Sequence, residues 1–148
     1  LNLGDLLRVI SEQIEPLAQE KNLRFERDIP AILPTFGDTD HLIRLFLNLL
    51  DNAVKYTPHG GQIILRAYPS QAGVQVTIHN SGPGIPAEHL PHLFERFYRV
   101  ESDRSSQSGG TGLGLAIAQE IVRRHGGEIN VSSEPQQGVI VVVYLPQS

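Results

Sequence analysis

Three polar positions on one apolar stretch are the first candidates for chemistry. In NLLDNAVKYTP, residues 48–58, Asn48, Asn52 and Lys55 fall within about 60° of one another around a helix of 3.6 residues per turn. Leu45, Leu49, Leu50, Ala53 and Val54 cover much of the remaining circumference, so a polar stripe interrupts an otherwise apolar helix. Buried carboxamides need partners. Their oxygens are hard ligands suited to Mg²⁺ bridging phosphates, and lysine offers those phosphates a point charge. A structural account competes with this one: both asparagines satisfy nearby loop backbone.

Two glycine-rich runs and an aromatic block follow. NSGPGIP, residues 80–86, directly succeeds a strand-like run; Gly82 and Gly84 let backbone approach a flat ligand, and Pro83 stiffens the turn. Asn80 would accept a hydrogen bond from an adenine amine, although ordinary turn residues would look much the same. GGTGLGLAI, residues 109–117, opens a helix, where Gly110, Gly112 and Gly114 free backbone N–H groups at the end whose dipole favours phosphate. It is neither a Walker loop, lacking the Gly-Lys-Ser/Thr ending, nor a dinucleotide fingerprint, its spacing being Gly-x-Gly-x-Gly. Between the two runs lies LFERFYRV, 93–100. There Phe94 and Phe97 read as core anchors, and Arg99 sits where it would reach a triphosphate if the following loop folds over one.

These groups need a scaffold, and the patterning supplies one. Residues 5–20 carry a helical stripe of Leu6, Leu7, Ile10, Ile14 and Leu17. Residues 22–29 read as a strand. Asp38 is an N-cap for a second helix over Thr39–Tyr56, stopped by Pro58 and Gly60-Gly61. Strands are expected at 62–68 and 74–80, a short helix at 86–98 with Pro86 in its first turn, and a helix at 111–125. Two closing strands lie in GEINVSS and GVIVVVYLP. Residues 102–110 have no periodicity and read as a mobile loop. The sum is an α+β chain: a mixed, mostly antiparallel sheet with helices on one face, a two-layer sandwich.

Composition excludes several alternatives. A net charge of −4 leaves no basic excess for nucleic acid or an anionic membrane. No apolar run approaches the ~18 residues of a membrane span. The absence of cysteine removes disulfides and thiolate zinc sites and fits a reducing compartment. There is no methionine even at position 1, which reads as a chain beginning inside a longer protein.

In this order and at these separations, the four blocks resemble the N box, first glycine box, F box and second glycine box of histidine-kinase ATP-binding domains, within the wider GHKL superfamily. The resemblance covers about residues 1–146 and rests on the joint pattern rather than on any one block. It implies the Bergerat fold for a single domain over 1–148, with a flexible ATP lid at about 100–111 and the phosphoacceptor and sensor domains absent. It further implies that Asn52 holds Mg²⁺ with Asn48 beside it, and that Lys55 and Arg99 contact phosphates. Tyr56, Asn80, Gly82, Gly84 and Ile85 would line the nucleotide site, and Gly110, Thr111, Gly112, Leu113 and Gly114 would cradle the phosphate chain.

Superfamily members that hydrolyse ATP carry a glutamate four residues before the metal-binding asparagine. Here that position is Asn48, which is no base at neutral pH. The resemblance therefore implies a site that holds ATP for transfer to a histidine on a separate dimerisation domain of the same parent protein, with a response regulator downstream. A departure is Asn80, where the family usually has aspartate. Asparagine exchanges a charge-assisted hydrogen bond for a neutral one, about 1 kcal/mol or a few-fold in affinity. Asn80 together with IPAEHLPHLFERFYRVESDR is similar to the heavy-metal sensor kinase branch. It also motivates an alternative, a nucleotide-binding regulatory module of degenerate kinase activity.

None of the six histidines lies in a phosphoacceptor-like context, so the fragment is not expected to phosphorylate itself. His89 and His92 stand one helical turn apart, but a solvated face explains them better than a metal, no third ligand being evident. The expected setting is cytoplasmic, under a parent that is membrane-anchored or not, with the isolated fragment monomeric and touching neither membrane nor nucleic acid.

Overall fold

The computed structural model describes residues 1–95, 114–134 and 136–147. Arg99, Gly110, Thr111, Gly112, Leu113 and the expected lid lie outside them.

The first helix, α1 (Leu3–Glu20), begins two residues earlier than the expected start at residue 5. Asn2 is the reason. Its Oδ1 accepts from the amides of Gly4 at 3.0 Å and Leu33 at 2.8 Å, so one side chain caps the helix and anchors a distant loop. Strand β1 (Arg24–Asp28) is shorter than expected. Asn22 takes a left-handed turn (φ 55°) as the chain leaves α1, and Pro30 follows the strand without an amide to continue pairing.

Helix α2 (Thr39–Tyr56) has the bounds its capping residues foretold. Asp38 accepts from the His41 amide at 3.0 Å, and Pro58 follows the Thr57 cap. Seven residues, among them Leu42, Leu45, Phe46, Leu49 and Leu50, are buried along it. At about 1.5–3 kcal/mol for each large apolar side chain, this face holds the helix down far more firmly than helix propensity does. Both ends are also tied to other helices. The Asp38 amide donates to His125 Nε2 at 3.1 Å, and the Lys21 ammonium donates to the carbonyls of Val54 at 2.7 Å and Lys55 at 3.2 Å.

Strands β2 (Gln62–Ser70) and β3 (Gly73–Asn80) form a hairpin. The short helix expected at 86–98 is instead a 3-10 helix, Ala87–His92. Pro86 is its N-cap, with extended ψ of 140°, rather than part of its first turn, and Pro91 within it has no amide to extend an α-helical ladder. Helix α3 (Gly114–Arg124) and strands β4 (Glu128–Glu134) and β5 (Gly138–Pro146) complete the described elements.

The strand order is β1-β2-β3-β5-β4, with β1 parallel to β2 and the other pairs antiparallel. Alternation chooses the covered face. Ile63, Leu65 and Ala67 on β2, Val74, Val76 and Ile78 on β3, and Val143 and Leu145 on β5 are buried in one cluster with all three helices. Arg66 and Tyr68 point to the other, open face. The α+β two-layer arrangement expected from the patterning is therefore the one observed. Among the described residues no helix is long and apolar enough to cross a membrane.

Candidate functional site

A cavity of about 170 Å³ opens at one end of the sandwich. Cavities of about 150 Å³ accept a benzene ring, so this one suits a flat ring system rather than a whole nucleotide. Leu49, Asn52, Ala53 and Tyr56 of α2 form one wall, consecutive turns of the same helix face. Ile78 and Asn80 at the end of β3 face it, and the loop Ser81–Ile85 forms the rim. Val131, Val139 and Val141 close it from β4 and β5, and Leu93 and Leu115 complete the apolar lining.

The rim loop depends on glycine. Gly82 has φ of 135° and Gly84 of 85°, both in the region that side chains avoid, so the chain can turn twice within five residues and lay its backbone along the cavity. The Ser81 hydroxyl accepts from the Gln62 amide at 2.8 Å, and the Ser81 amide donates to the Gln62 carbonyl at 2.9 Å, pinning the loop's start to β2.

Asn80 is only 6% exposed. Among the described residues its side chain makes one weak contact, Nδ2 donating to the Ser81 carbonyl at 3.5 Å, and Oδ1 accepts nothing. A buried polar atom without a partner costs about 1–3 kcal/mol, so this oxygen suits a ligand that brings an N–H donor into the cavity. Asn48 and Asn52 likewise make no side-chain hydrogen bond among the described residues. The structural account, in which they satisfy loop backbone, finds no such bond there. Asn52 lines the cavity and leaves a hard oxygen available at its edge.

The sequence candidates thus separate into three groups. Asn52, Tyr56, Asn80, Gly82, Gly84 and Ile85 come together around one cavity. Asn48 and Lys55 share α2 with them but do not line it; the Lys55 ammonium lies 3.0 Å from Asp51 Oδ2 in a half-exposed pair one turn back. Of the glycine-rich helix entry, only Gly114 falls among the described residues, as the first residue of α3. The valines of β4 and β5 escaped sequence reasoning. GEINVSS and GVIVVVYLP read as strands, but nothing local shows which of their valines face a ligand and which face the core.

No carboxylate, histidine, lysine or arginine lines the cavity among the described residues. His79 holds the Gln137 carbonyl at 2.9 Å, away from it, and His92 sits 2.7 Å from Glu95. Among the described residues no group of three or more His, Asp or Glu side chains is arranged to hold a metal ion.

The family described as histidine kinase-, DNA gyrase B-, and HSP90-like ATPase matches residues 37–148. The signal transduction histidine-protein kinase BaeS of Escherichia coli (strain K12) is 39% identical over 146 residues, which are 99% of this chain and 31% of BaeS. The chain therefore spans about a third of that relative's length. Among solved structures, a mycobacterial sensor histidine kinase, MprB, superimposes with a TM-score of 0.83 at 33% identity, over 99% of this chain and 96% of that one. Full-length ShkA, solved in complex with AMPPNP, superimposes with a TM-score of 0.84 at 30% identity, over 99% of this chain and 30% of its own.

Proposed function

The chain belongs to the histidine kinase-, DNA gyrase B-, and HSP90-like ATPase family, and we propose that it binds Mg-ATP and donates the γ-phosphoryl group to a histidine on a separate dimerisation domain of a two-component sensor kinase. The observation that carries this proposal is the character of the cavity: an orphaned buried acceptor for an amine, a hard oxygen on α2, and no acid or base among its described lining. Such a lining suits a nucleotide, and Asn48, where hydrolytic members of the superfamily have glutamate, supplies no base for water. The nucleophile would come from outside it.

The adenine would lie against the valines of β4 and β5, with its exocyclic amine donating to Asn80 Oδ1. Asn52 would hold Mg²⁺, with Asn48 beside it; when bound, the ion neutralises charge on the phosphate oxygens. Lys55 would leave Asp51 for phosphate. An exposed i, i+4 pair contributes only about 0.3–0.5 kcal/mol, so the exchange meets little resistance. Arg99 and residues 110–114 would meet the phosphate chain from the lid side. The partner's imidazole nitrogen then attacks the γ-phosphorus, the bond to the β,γ-bridging oxygen breaks, and ADP departs. As in phosphoryl transfer generally, positioning and charge stabilisation account for the acceleration. The same proposal makes the domain cytoplasmic and hands the phosphoryl group onward to a response regulator.

Calorimetric titration with a non-hydrolysable ATP analogue, with and without Mg²⁺, tests the first half. Saturable binding that Mg²⁺ strengthens is expected. Supplying the histidine-bearing domain in trans with γ-labelled ATP tests the second. Acid-labile label on that domain is expected; label released only as free phosphate at steady state would refute the transfer role.

A further inference from the structure

Pro83 stiffens the middle of the rim loop, but the glycines on either side of it leave the loop's two ends to be held by the rest of the chain. The loop's first residue is anchored to β2 through Ser81, as described above. Its last residue is held from a different part of the chain: the Ile85 amide donates to Ser133 Oγ at 2.7 Å. That hydroxyl in turn donates to the Gly138 carbonyl at 3.1 Å, across the β4–β5 hairpin. With its single proton committed to Gly138, the oxygen can only accept from Ile85, so the direction of both bonds is set. The Gln136 amide adds a second grip by donating to the Pro83 carbonyl at 3.2 Å. Val131, two residues before Ser133 and on the same face of β4, lines the cavity itself.

We infer that Ser133 is a positioning residue for nucleotide recognition: it fixes the far end of the Ser81–Ile85 rim through the Ile85 amide and so sets the base-binding side of the cavity. The inference rests on the nucleotide reading of the site. It goes beyond the glycine-rich blocks, because the residue that shapes the rim lies some fifty positions further along the chain, on a strand with no polar motif. Removing the hydroxyl strands the half-buried Ile85 amide and frees the rim where the base would sit, leaving the helix wall with Asn52 untouched.

The pair Ser133→Thr and Ser133→Val tests this, since both replacements are β-branched, suit a strand and differ only in the hydroxyl. Binding of ATP, adenosine and inorganic tripolyphosphate to each variant is followed by calorimetry, and Ile85 amide exchange by NMR. S133T should keep nearly wild-type affinity. S133V should lose roughly five- to tenfold for ATP and adenosine, the scale of one hydrogen bond. Tripolyphosphate binding should not change, the ATP over GTP preference should shrink, and Ile85 exchange should accelerate while α2 amides stay protected. Equal affinity of S133V and S133T for adenosine, or an equal loss for tripolyphosphate, would overturn the inference and leave the nucleotide reading standing. A wild-type chain that ignores ATP altogether would overturn both.

Discussion

Gly138 and Gly60 allow the strain of a side chain to be separated into two parts. Both have φ of 83°. A Cβ on Gly60 meets nothing within 4 Å, whereas a Cβ on Gly138 falls 1.9 Å from the Asn80 carbonyl oxygen. Alanine at either position carries the left-handed penalty, roughly 1–2 kcal/mol. Only Gly138→Ala also forces two backbone segments apart by more than an ångström, a rearrangement of about 1–3 kcal/mol. G60A should therefore cost roughly 1–2 kcal/mol and G138A roughly 2–5. At about 3–4 °C per kcal/mol for a chain of this length, the melting midpoint should fall by roughly 3–8 °C and 6–20 °C respectively. Circular dichroism melts of the two variants in one buffer measure the difference. The displaced carbonyl belongs to Asn80, so G138A should also weaken adenosine binding at a temperature where it remains folded, and G60A should not. Matching midpoints for the two variants would show that the hairpin does not press on Asn80 and would refute the reasoning.

Two further outcomes follow from individual side chains. Asn52→Ala should abolish the strengthening of ATP binding by Mg²⁺ while shifting the melting midpoint little, because the side chain makes no hydrogen bond among the described residues; calorimetry with and without Mg²⁺ checks it. The hydrogen bond from the His41 amide holds the Asp38 carboxyl below its ordinary 3.8, against a smaller opposing effect of desolvation. A folded-state value below the unfolded one stabilises the fold above pH 3.8, and that stabilisation is lost as pH falls through the folded value. Asp38→Asn keeps a capping oxygen but cannot titrate, so it should remain folded near neutrality and show a flatter acid limb in melts between pH 2 and 5, whereas Asp38→Ala should melt lower across the whole range.

What could be read from the sequence was local. Asp38, Pro58 and Gly60-Gly61 mark α2 because capping and breaking are properties of a few adjacent residues. Gly82 and Gly84 mark the rim because positive φ selects glycine. The Asn2 cap is equally local, through the Gly4 amide, and went unread; only its second bond, from the Leu33 amide far along the chain, lies beyond any window of sequence. The Asp51–Lys55 pair was equally hidden: spacing permits it, but nothing in the sequence says whether Lys55 turns to Asp51 or to the cavity. Ser133 shows the same limit most clearly. One hydroxyl among polar strand residues becomes functional only when β3, β4 and β5 are brought together, which no window of sequence reports.

The cavity also ties recognition to the order in which the chain can assemble. Because β1 and β2 are parallel, α2 is a crossover connection between them. The wall that α2 offers meets valines supplied by the last two strands of the chain. Leu49 and Val141, which line the same cavity, are separated by most of the sequence, and folds that depend on pairings of that range form slowly. Neither half of the chain holds the whole cavity: α2 supplies one wall, and β3, the rim loop, β4 and β5 supply the rest. A ligand that fills the complete cavity binds the folded chain and not the unfolded one, so it acts on the folding equilibrium itself, adding about 2.7 kcal/mol at a hundredfold excess over its dissociation constant.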